Sequence, residues 1–254
     1  MPDLSVIIPT YNEEPNIRRS AGAALEWLRT QSLEWELLLV DDGSRDATAT
    51  IEHELARDEP RIRVLAHTPN RGKGYAVRQG MLAATGAVRL FLDADYSTPI
   101  DEFDQLRPHL DAGADIAIGT RRVADARIET KPPLHRYLLG ELYIKLAAGL
   151  LGSRIGDFNC GFKAFTAQAA ERLFALQRRN DWSFDAEVLV LAERLGFRIK
   201  EVPVRWAHVQ NTSKVRPLRD GLRSFRALLD IRRDLRRGTY GDLQAPHKPT
   251  EGTP

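Results

Sequence analysis

Short apolar runs alternate with amphipathic stretches along the first half of this chain, and this alternation is the feature that most constrains its fold. The apolar runs predict buried strands at 4–8, 36–40, 62–66 and 88–92, and a fifth at 116–118. Helices are predicted between them, at 16–28, from Ser44 or Asp46 to about residue 58, and at 73–84. Such β-α alternation predicts the α/β class, with a mainly parallel central sheet and helices on both faces.

Polar clusters follow three of these predicted strands. They occupy residues 9–13, 41–46 and 93–98, directly after the first, second and fourth strands. In open α/β sheets, ligands bind beyond the carboxyl ends of the strands. We therefore expect the three clusters to converge on one crevice that forms the binding site.

The second half of the chain is less regular. A charged loop is predicted at 121–133, an apolar helix at 134–151, a helix at 182–195 and a strand at 198–204. A last helix is predicted at 218–237, with Leu218, Leu222, Phe225 and Leu229 on one apolar stripe. The pattern predicts a single domain over 1–237, made of halves at 1–120 and 121–237, and a disordered tail at 238–254.

Charge is unevenly distributed, although the 254 residues carry a net charge of only +2. Residues 205–238 include ten Lys or Arg and three Asp or Glu, a local charge of +7, while the rest of the chain carries −5. The near-neutral total argues against a nucleic-acid partner. Two interpretations of the basic helix stay open. Its apolar stripe packs on the sheet with the arginines solvated, or the arginines face anionic lipid headgroups at a membrane surface.

Cysteine content and hydropathy limit the cellular compartments in which this chain is expected to work. Cys160 is the only cysteine, which excludes an intramolecular disulfide and a cysteine-based zinc site. The longest run free of polar residues, 146–152, is far shorter than the ~18 residues that cross a bilayer, and the N-terminus lacks the pattern of a signal peptide. We expect a cytoplasmic protein, either soluble or peripheral on the cytoplasmic face of a membrane.

The triplet Asp93-Ala94-Asp95 carries the most chemical information. Two carboxylates two residues apart at a strand end can bind one hard cation, and Mg²⁺ or Mn²⁺ prefers a few such ligands together with substrate phosphate oxygens. A cation bound there would neutralise a diphosphate leaving group. The alternative is a pair of solvated turn aspartates, because this pattern is common by chance.

The cluster after the second predicted strand suits a nucleoside. Asp41 and Asp42 can accept hydrogen bonds from a ribose hydroxyl or a base N–H, and Gly43 permits a tight turn. The alternative is a strand-to-helix turn in which Ser44 or Asp46 caps the helix, and both interpretations can hold together.

Two more segments have polar residues suited to a nucleotide. In Pro9-Thr10-Tyr11-Asn12-Glu13, Tyr11 can stack on a base while the next two residues offer hydrogen bonds. The two glycines, the lysine and the predicted helix start of Asn70-Arg71-Gly72-Lys73-Gly74 are typical of a phosphate-binding turn. Each segment could equally be ordinary turn or helix-entry chemistry.

These four motifs, in this order on successive strand ends, resemble the family 2 glycosyltransferases with the nucleotide-binding GT-A fold. In the second half, residues 157–165 resemble the D-x-x-C-G-F-K-x-F segment of the dolichyl-phosphate β-glucosyltransferases, and 182–187 their W-x-F-D-x-E. Trp206 followed by residues 213–215 is similar to their C-terminal W…S-K-V. The resemblance extends from residue 4 to about residue 235.

The resemblance implies roles for individual residues. Asp93 and Asp95 would bind the metal, Mg²⁺ or Mn²⁺. The nucleotide sugar would contact the strand-end residues Pro9, Tyr11, Asn12, Glu13, Asp41, Asp42, Gly43, Asn70, Lys73, Gly74, Asp93 and Ala94. Asp185, with Asp157, is assigned to catalysis, as the candidate general base for a hydroxyl acceptor. A phosphate acceptor needs cations more than a base, and the candidates are Arg121, Arg136, Lys163 and Lys214.

The implied reaction is a metal-dependent, inverting hexosyl transfer onto a polyprenyl or dolichyl phosphate. UDP-glucose is the expected donor, with GDP-mannose as a second candidate. Three alternatives stay open: the same fold acting on a soluble or polysaccharide hydroxyl, a non-catalytic nucleotide-binding protein, and a NAD-binding oxidoreductase. The oxidoreductase is disfavoured because no G-x-G-x-x-G follows the first strand.

Overall fold

The computed structural model describes residues 1–122, 126–130, 134–207, 217–241 and 243. The strands are β1 (Leu4–Thr10), β2 (Trp35–Asp41), β3 (Ile62–Ala66), β4 (Val88–Leu92), β5 (Ile116–Thr120), β6 (Arg127–Thr130), β7 (Phe162–Thr166), β8 (Ile199–Pro203) and β9 (Arg205–Ala207). The helices are α1 (Glu14–Thr30), α2 (Thr48–Asp58), α3 (Lys73–Ala83), α4 (Phe103–Asp111), α5 (Leu134–Leu151), α6 (Ala167–Leu176), α7 (Phe184–Arg194) and α8 (Pro217–Arg236). A short 3₁₀ turn at Ile100–Glu102 precedes α4.

Seven strands form the central sheet in the order β3-β2-β1-β4-β7-β5-β8. Every neighbouring pair is parallel except for the two pairs that include β7, which runs antiparallel to both β4 and β5. The predicted mainly parallel α/β sheet is therefore confirmed. The reversed strand matters for the site, because it brings the residues just before β7 to the carboxyl end of β4.

Helices cover both faces of the sheet, as the alternation predicts. The two faces of each strand contribute alternate side chains to two apolar clusters. On β1, Val6 and Ile8 belong to a cluster with α1 and α4, whereas Ile7 belongs to a cluster with α3, α6 and α7. Both faces of the central strands are thus buried, which explains their continuous apolar runs.

The segment predicted as a loop at 121–133 contains a strand. Residues Arg127–Thr130 form β6, which pairs in parallel with β9 in a separate two-stranded sheet. The prediction is wrong for this segment because its strand character depends on a partner more than seventy residues away. The four residues of β6 carry no apolar alternation that would indicate a strand locally.

Helix α8 packs against α5, and its buried face differs from the predicted stripe. Leu228 and Ile231 are fully buried, while Phe225 and Leu229 are 37% and 42% exposed. The predicted packing of this stripe on the sheet is therefore wrong for Phe225 and Leu229, because the face of α8 that is buried contains Leu228 and Ile231 instead. The side chains of the other two members lie outside the described residues.

The C-terminal tail departs from prediction where it is described. Tyr240 is only 4% exposed and belongs to the apolar cluster of α3, α6 and α7. Disorder from residue 238 onward is thus wrong for 238–241, and residue 242 and residues 244–254 lie outside the described residues. Among the helices of the described chain, none has the length and apolar character needed to cross a membrane.

Candidate functional site

The loops that follow β1 and β2 are hydrogen-bonded to each other at the carboxyl edge of the sheet. Asn12, whose φ of 52° is left-handed, donates from its backbone N to the Ser44 hydroxyl over 2.9 Å and accepts from Arg45 N through its Oδ1 at 2.8 Å. Glu13 N donates to the Thr48 hydroxyl over 2.8 Å. The segments 9–13 and 41–46 therefore form one surface, as expected from their places at strand ends.

Asp42 supports the turn at 70–74. Its carboxylate accepts from the backbone N atoms of Arg71 and Gly72 at 2.8 and 2.7 Å and from Asn70 Nδ2 at 2.7 Å. His67 Nε2 lies 2.5 Å from the same carboxylate. Because Asp42 is buried and fully engaged in this turn, we assign it a positioning role in place of direct contact with a nucleoside.

Asp41 and Gly43 shape the turn that precedes α2. Asp41 Oδ1 accepts from Ser44 N at 3.0 Å and from the Ser44 hydroxyl. Gly43 has a φ of +75°, and a Cβ there would lie 3.0 Å from Asn70 N, so only glycine fits this turn without strain. Thr48 is the first residue of α2, and its backbone N donates to the carboxylate of Asp46, one of the two cap candidates, over 3.1 Å. The other candidate, Ser44, donates its hydroxyl to Asp41 instead.

A lysine and two carboxylates meet where β4 ends and α3 begins. Lys73, the first residue of α3, places its Nζ 2.5 Å from Asp93 Oδ1. Burial disfavours its charge, but Asp93 and Asp185 outweigh burial and raise the Lys73 pKa. Burial and the charge of Asp93 raise the pKa of Asp95, whose Oδ1 accepts from Ser97 N at 2.9 Å.

A divalent cation at this pair of carboxylates would have to take its other ligands from a substrate. Within the described residues, no group of three or more His, Cys, Asp and Glu could hold a metal ion. Asp93 and Asp95 would supply at most two protein oxygen ligands to such a cation, and the rest would have to come from diphosphate oxygens and water.

Gly161 makes room for Asp93, a contact that the motif at 157–165 did not reveal by itself. Asp93 N donates to Gly161 O over 3.0 Å, and a Cβ on Gly161 would overlap the Asp93 carboxylate. Trp182 was not assigned to the site either, although Lys73 Nζ lies 4.9 Å from the centre of its ring. Both residues belong to the motifs that carry the family resemblance, at 157–165 and 182–187, and this was the only sequence signal that pointed to them.

Asp157 is buried beneath Arg121 in a two-pronged ion pair. Arg121 Nε and Nη2 lie 2.8 Å from Asp157 Oδ2 and Oδ1, and Arg121 N also donates to Oδ2 at 3.1 Å. Arg121 outweighs burial and lowers the Asp157 pKa. The guanidinium lies 5.1 Å from the Trp206 ring centre. Asp157 thus orients a partly exposed cation and has no exposed surface for contact with substrate.

Lys163 is buried with Asp185. Its Nζ lies 2.6 Å from Asp185 Oδ1 and donates to Cys160 O at 2.6 Å, and the side chain is 1% exposed. The predicted contact between Lys163 and an acceptor phosphate is inconsistent with this burial. Burial raises the Asp185 pKa, against the opposing effect of Lys163 and Lys73.

Two predicted acceptor cations cannot be evaluated in the same way. Arg136 belongs to α5, but its side chain lies outside the described residues. Lys214 falls in 208–216, which the structure does not describe. Arg121 is therefore the one predicted acceptor cation whose described side chain is partly exposed at the site.

The sheet order, the strand-end loops and the paired carboxylates beside a helix start define the class of GT-A nucleotide-diphospho-sugar transferases. Residues 5–174 match the family model for glycosyl transferase family 2. The chain belongs to that family, and the predicted GT-A fold and glycosyltransferase class are confirmed.

Curated relatives of the chain are named dolichyl-phosphate β-glucosyltransferases. The Drosophila melanogaster relative is 36% identical over 90% of this chain and 74% of its own length, and the Homo sapiens relative is 32% identical with the same two coverages. A Trichomonas vaginalis relative is 34% identical over 82% of this chain and 67% of its own. A second relative from that organism is matched over only 63% of its length.

Solved structures of a glucosyl-3-phosphoglycerate synthase from Mycobacterium tuberculosis share the fold. One such structure, in complex with Mn²⁺, UDP and glucosyl-3-phosphoglycerate, aligns with a TM-score of 0.65 over 91% of this chain and 80% of its own. The sequences are 21% identical, so the likeness supports the fold alone.

Proposed function

We propose that this chain transfers glucose from UDP-glucose to the phosphate of a dolichyl or other polyprenyl phosphate, with inversion at C1. The observation that carries the proposal is the meeting of Lys73, Asp93 and Asp95 at the start of α3, in a chain whose curated relatives are named dolichyl-phosphate β-glucosyltransferases. GDP-mannose is the second donor to test.

The diphosphate of the donor would lie against the 70–74 turn. Several N–H groups of this turn are already engaged, since those of Arg71 and Gly72 donate to Asp42 and that of Tyr75 donates to Gly72 O and Asn180 O, so the anion would depend chiefly on Lys73. Lys73 adds a full positive charge beside Asp93. Asp93 and Asp95 would hold Mg²⁺ or Mn²⁺, which supplies charge stabilisation for the departing diphosphate when bound. In this arrangement Lys73 can turn from Asp93 towards a phosphate oxygen.

The acceptor phosphate would approach Arg121. Its guanidinium is fixed by Asp157 and Trp206, so little side-chain freedom is lost when a phosphate binds. A phosphate monoester is largely ionised at pH 7, and its oxygen can attack C1 as the bond from C1 to the diphosphate breaks. No general base is needed for this acceptor, and Asp185 then serves with Lys163 as a buried positioning pair.

The proposed lipid acceptor requires contact with a membrane surface. Leu138 and Leu142 on α5 are 57% and 54% exposed, and Phe225 and Leu229 are exposed on α8, which packs against α5. The described part of α8 is rich in arginine. We propose that these two helices lie on an anionic bilayer, with the leucines and the phenylalanine inserted and the arginines at the headgroups.

A donor and acceptor screen tests the proposal. The chain is incubated with labelled UDP- or GDP-sugars and a short polyprenyl phosphate, and the products are extracted into an organic phase. Label from UDP-glucose should enter the organic phase. Asp95→Ala should lower the rate of transfer by a factor of about 100 or more, because the proposed metal ligand is lost. In a parallel reaction with a soluble hydroxyl acceptor, label transferred to that acceptor would favour the alternative substrate. UDP binding without any transfer would favour a nucleotide-binding protein.

A further inference from the structure

Residues 177–183, the segment between α6 and α7, contact the 70–74 turn directly. Gln177 Nε2 donates to Gly74 O over 2.8 Å, and Tyr75 N donates to Asn180 O over 3.3 Å. The approach is close, since a Cβ on Gly74 would lie 2.7 Å from Arg179 O. The position of the turn, and of Lys73 within it, therefore depends on how this segment is held.

Glu187 on α7 holds the same segment. Its side chain is fully buried in α7, and Oε2 accepts from Arg178 N and Arg179 N at 3.0 and 2.8 Å. A carboxylate that binds two successive backbone N–H groups fixes the path of the chain there. Glu187 belongs to the 182–187 motif, and the site described above gives it no other task.

The C-terminal end of the described chain completes this support. Tyr240 donates its hydroxyl to Glu187 Oε1 over 2.7 Å in a buried hydrogen bond. Arg179 Nη2 lies 2.5 Å from Asp234 Oδ2 on α8. Arg179 thus joins the last turn of α8 directly to the 177–183 segment, and Tyr240 reaches that segment through Glu187. Glu187 and Tyr240, which are 53 residues apart in sequence, are thus in direct contact next to the segment that supports the proposed donor site.

We propose that Glu187 and Tyr240 are positioning residues for the donor diphosphate. Tyr240 orients Glu187, Glu187 fixes the backbone of 178–179, and Gln177 and Asn180 transmit that position to the turn that carries Lys73. This inference rests on the proposed function, because it assumes that the 70–74 turn binds the donor. It assigns to the C-terminal segment a role in donor affinity.

The test compares Tyr240→Phe with the wild-type chain. The substitution keeps the buried ring and removes only the hydroxyl. UDP binding, measured by calorimetry at 25 °C, should weaken about three- to tenfold, and the donor KM should rise by the same factor while kcat stays within about twofold. A merely structural role would lower the unfolding temperature without changing UDP affinity in the folded protein.

A second variant and an exchange measurement keep the test independent of folding losses. Glu187→Gln replaces two acceptor oxygens by one and should weaken UDP binding more than Tyr240→Phe. Glu26→Gln, an exposed change on α1, serves as the matched control and should leave the UDP affinity unchanged. Hydrogen exchange at the amides of 75–76 should accelerate in Tyr240→Phe.

The outcomes separate the two proposals. A wild-type chain that binds UDP while Tyr240→Phe and Glu187→Gln bind it equally well overturns the positioning role alone. A wild-type chain that binds no nucleoside diphosphate overturns the donor assignment and the positioning role with it. Weaker UDP binding in both variants, with Glu26→Gln unchanged, supports the inference.

Discussion

At the scale of single residues, the site is built largely from side chains that hold other side chains. Asp42, Asp157 and Lys163 are all charged, and all three are buried against protein partners. The pattern after the second strand predicted that Asp42 matters, and the family resemblance predicted the same for Asp157 and Lys163. They could not distinguish contact with a ligand from support of a neighbour, because that distinction depends on the direction of each side chain in the folded chain.

Gly161→Ala should damage the carboxylate pair without unfolding the protein. A Cβ at position 161 would overlap the Asp93 carboxylate, which must then rotate away from Lys73 or shift with its loop. We expect about a tenfold or greater loss of kcat/KM and weaker binding of Mn²⁺ in the presence of UDP, since misplacement of ligands by about 1 Å has effects of this order. Calorimetry and steady-state kinetics measure both.

Gly22→Ala is the matched control for this change. Gly22 lies in α1, and no atom beyond its own helix and chain neighbours lies within 4 Å of a Cβ built there. Alanine should leave activity unchanged and stabilise the helix by about 1 kcal/mol. Equal activity of the Gly161→Ala and wild-type chains would show that the Asp93 position does not matter for transfer.

At the scale of elements, the local hydropathy pattern predicts a strand or helix correctly when the element's own sequence determines its conformation. β4 occupies the predicted residues because it is a short apolar run in a sheet covered on both faces, and β3 also keeps its predicted bounds, although it is an edge strand in which only Ile62 is buried. β6 and the buried face of α8 could not be predicted in this way. Each is determined by a partner, β9 for the strand and α5 for the helix, that is distant in sequence.

Helix α2 carries a buried carboxyl group that makes stability depend on pH. Burial raises the pKa of Glu52 to about 8, and the charges of Asp41 and Asp46 contribute. Glu52 Oε1 accepts from the Thr10 hydroxyl at 2.6 Å, and Oε2 has no hydrogen-bond partner among the described residues. The folded state therefore keeps the Glu52 proton at pH values where the unfolded chain loses it.

Glu52→Gln should remove this pH dependence. Because the folded pKa lies above the unfolded value of 4.5, the stability contributed by the proton is complete below pH 4.5 and is lost as pH rises through about 8. Glutamine mimics the protonated form, so the variant should match the wild type near pH 4.5 and exceed its unfolding free energy by roughly 3–5 kcal/mol at pH 9. Urea unfolding at both pH values measures the difference.

The exposed neighbour Glu54 provides the control for Glu52. Glu54 lies on α2, as Glu52 does, and forms an exposed ion pair with Arg18 of α1. Glu54→Gln should change the unfolding free energy by less than about 1 kcal/mol at either pH. Parallel pH profiles of wild type and Glu52→Gln would contradict a buried proton on Glu52.

At the scale of the whole molecule, the near-neutral charge is the sum of two unlike parts. The acidic remainder of the chain includes the carboxylates at the strand ends, and the basic segment at 205–238 includes α8. The sequence pattern identified this charge asymmetry, but it could not predict which helices the basic segment packs against. In the fold, α8 packs on α5, and both helices expose leucines, so that apolar and basic surface occur on the same pair of helices.

This pairing predicts salt-sensitive binding to anionic vesicles. The wild-type chain should sediment with phosphatidylserine-containing liposomes at low salt and be released as salt rises, since each arginine contributes about 1 kcal/mol near such a surface. Phe225→Asp and Leu142→Asp should each weaken sedimentation about tenfold by removing inserted apolar area and adding repulsion. Leu82→Asp, at a 39% exposed leucine on α3, should bind as the wild type does. Equal sedimentation of all three variants, or none by the wild type, would show that α5 and α8 do not contact the bilayer, and the acceptor would then have to reach Arg121 from solution.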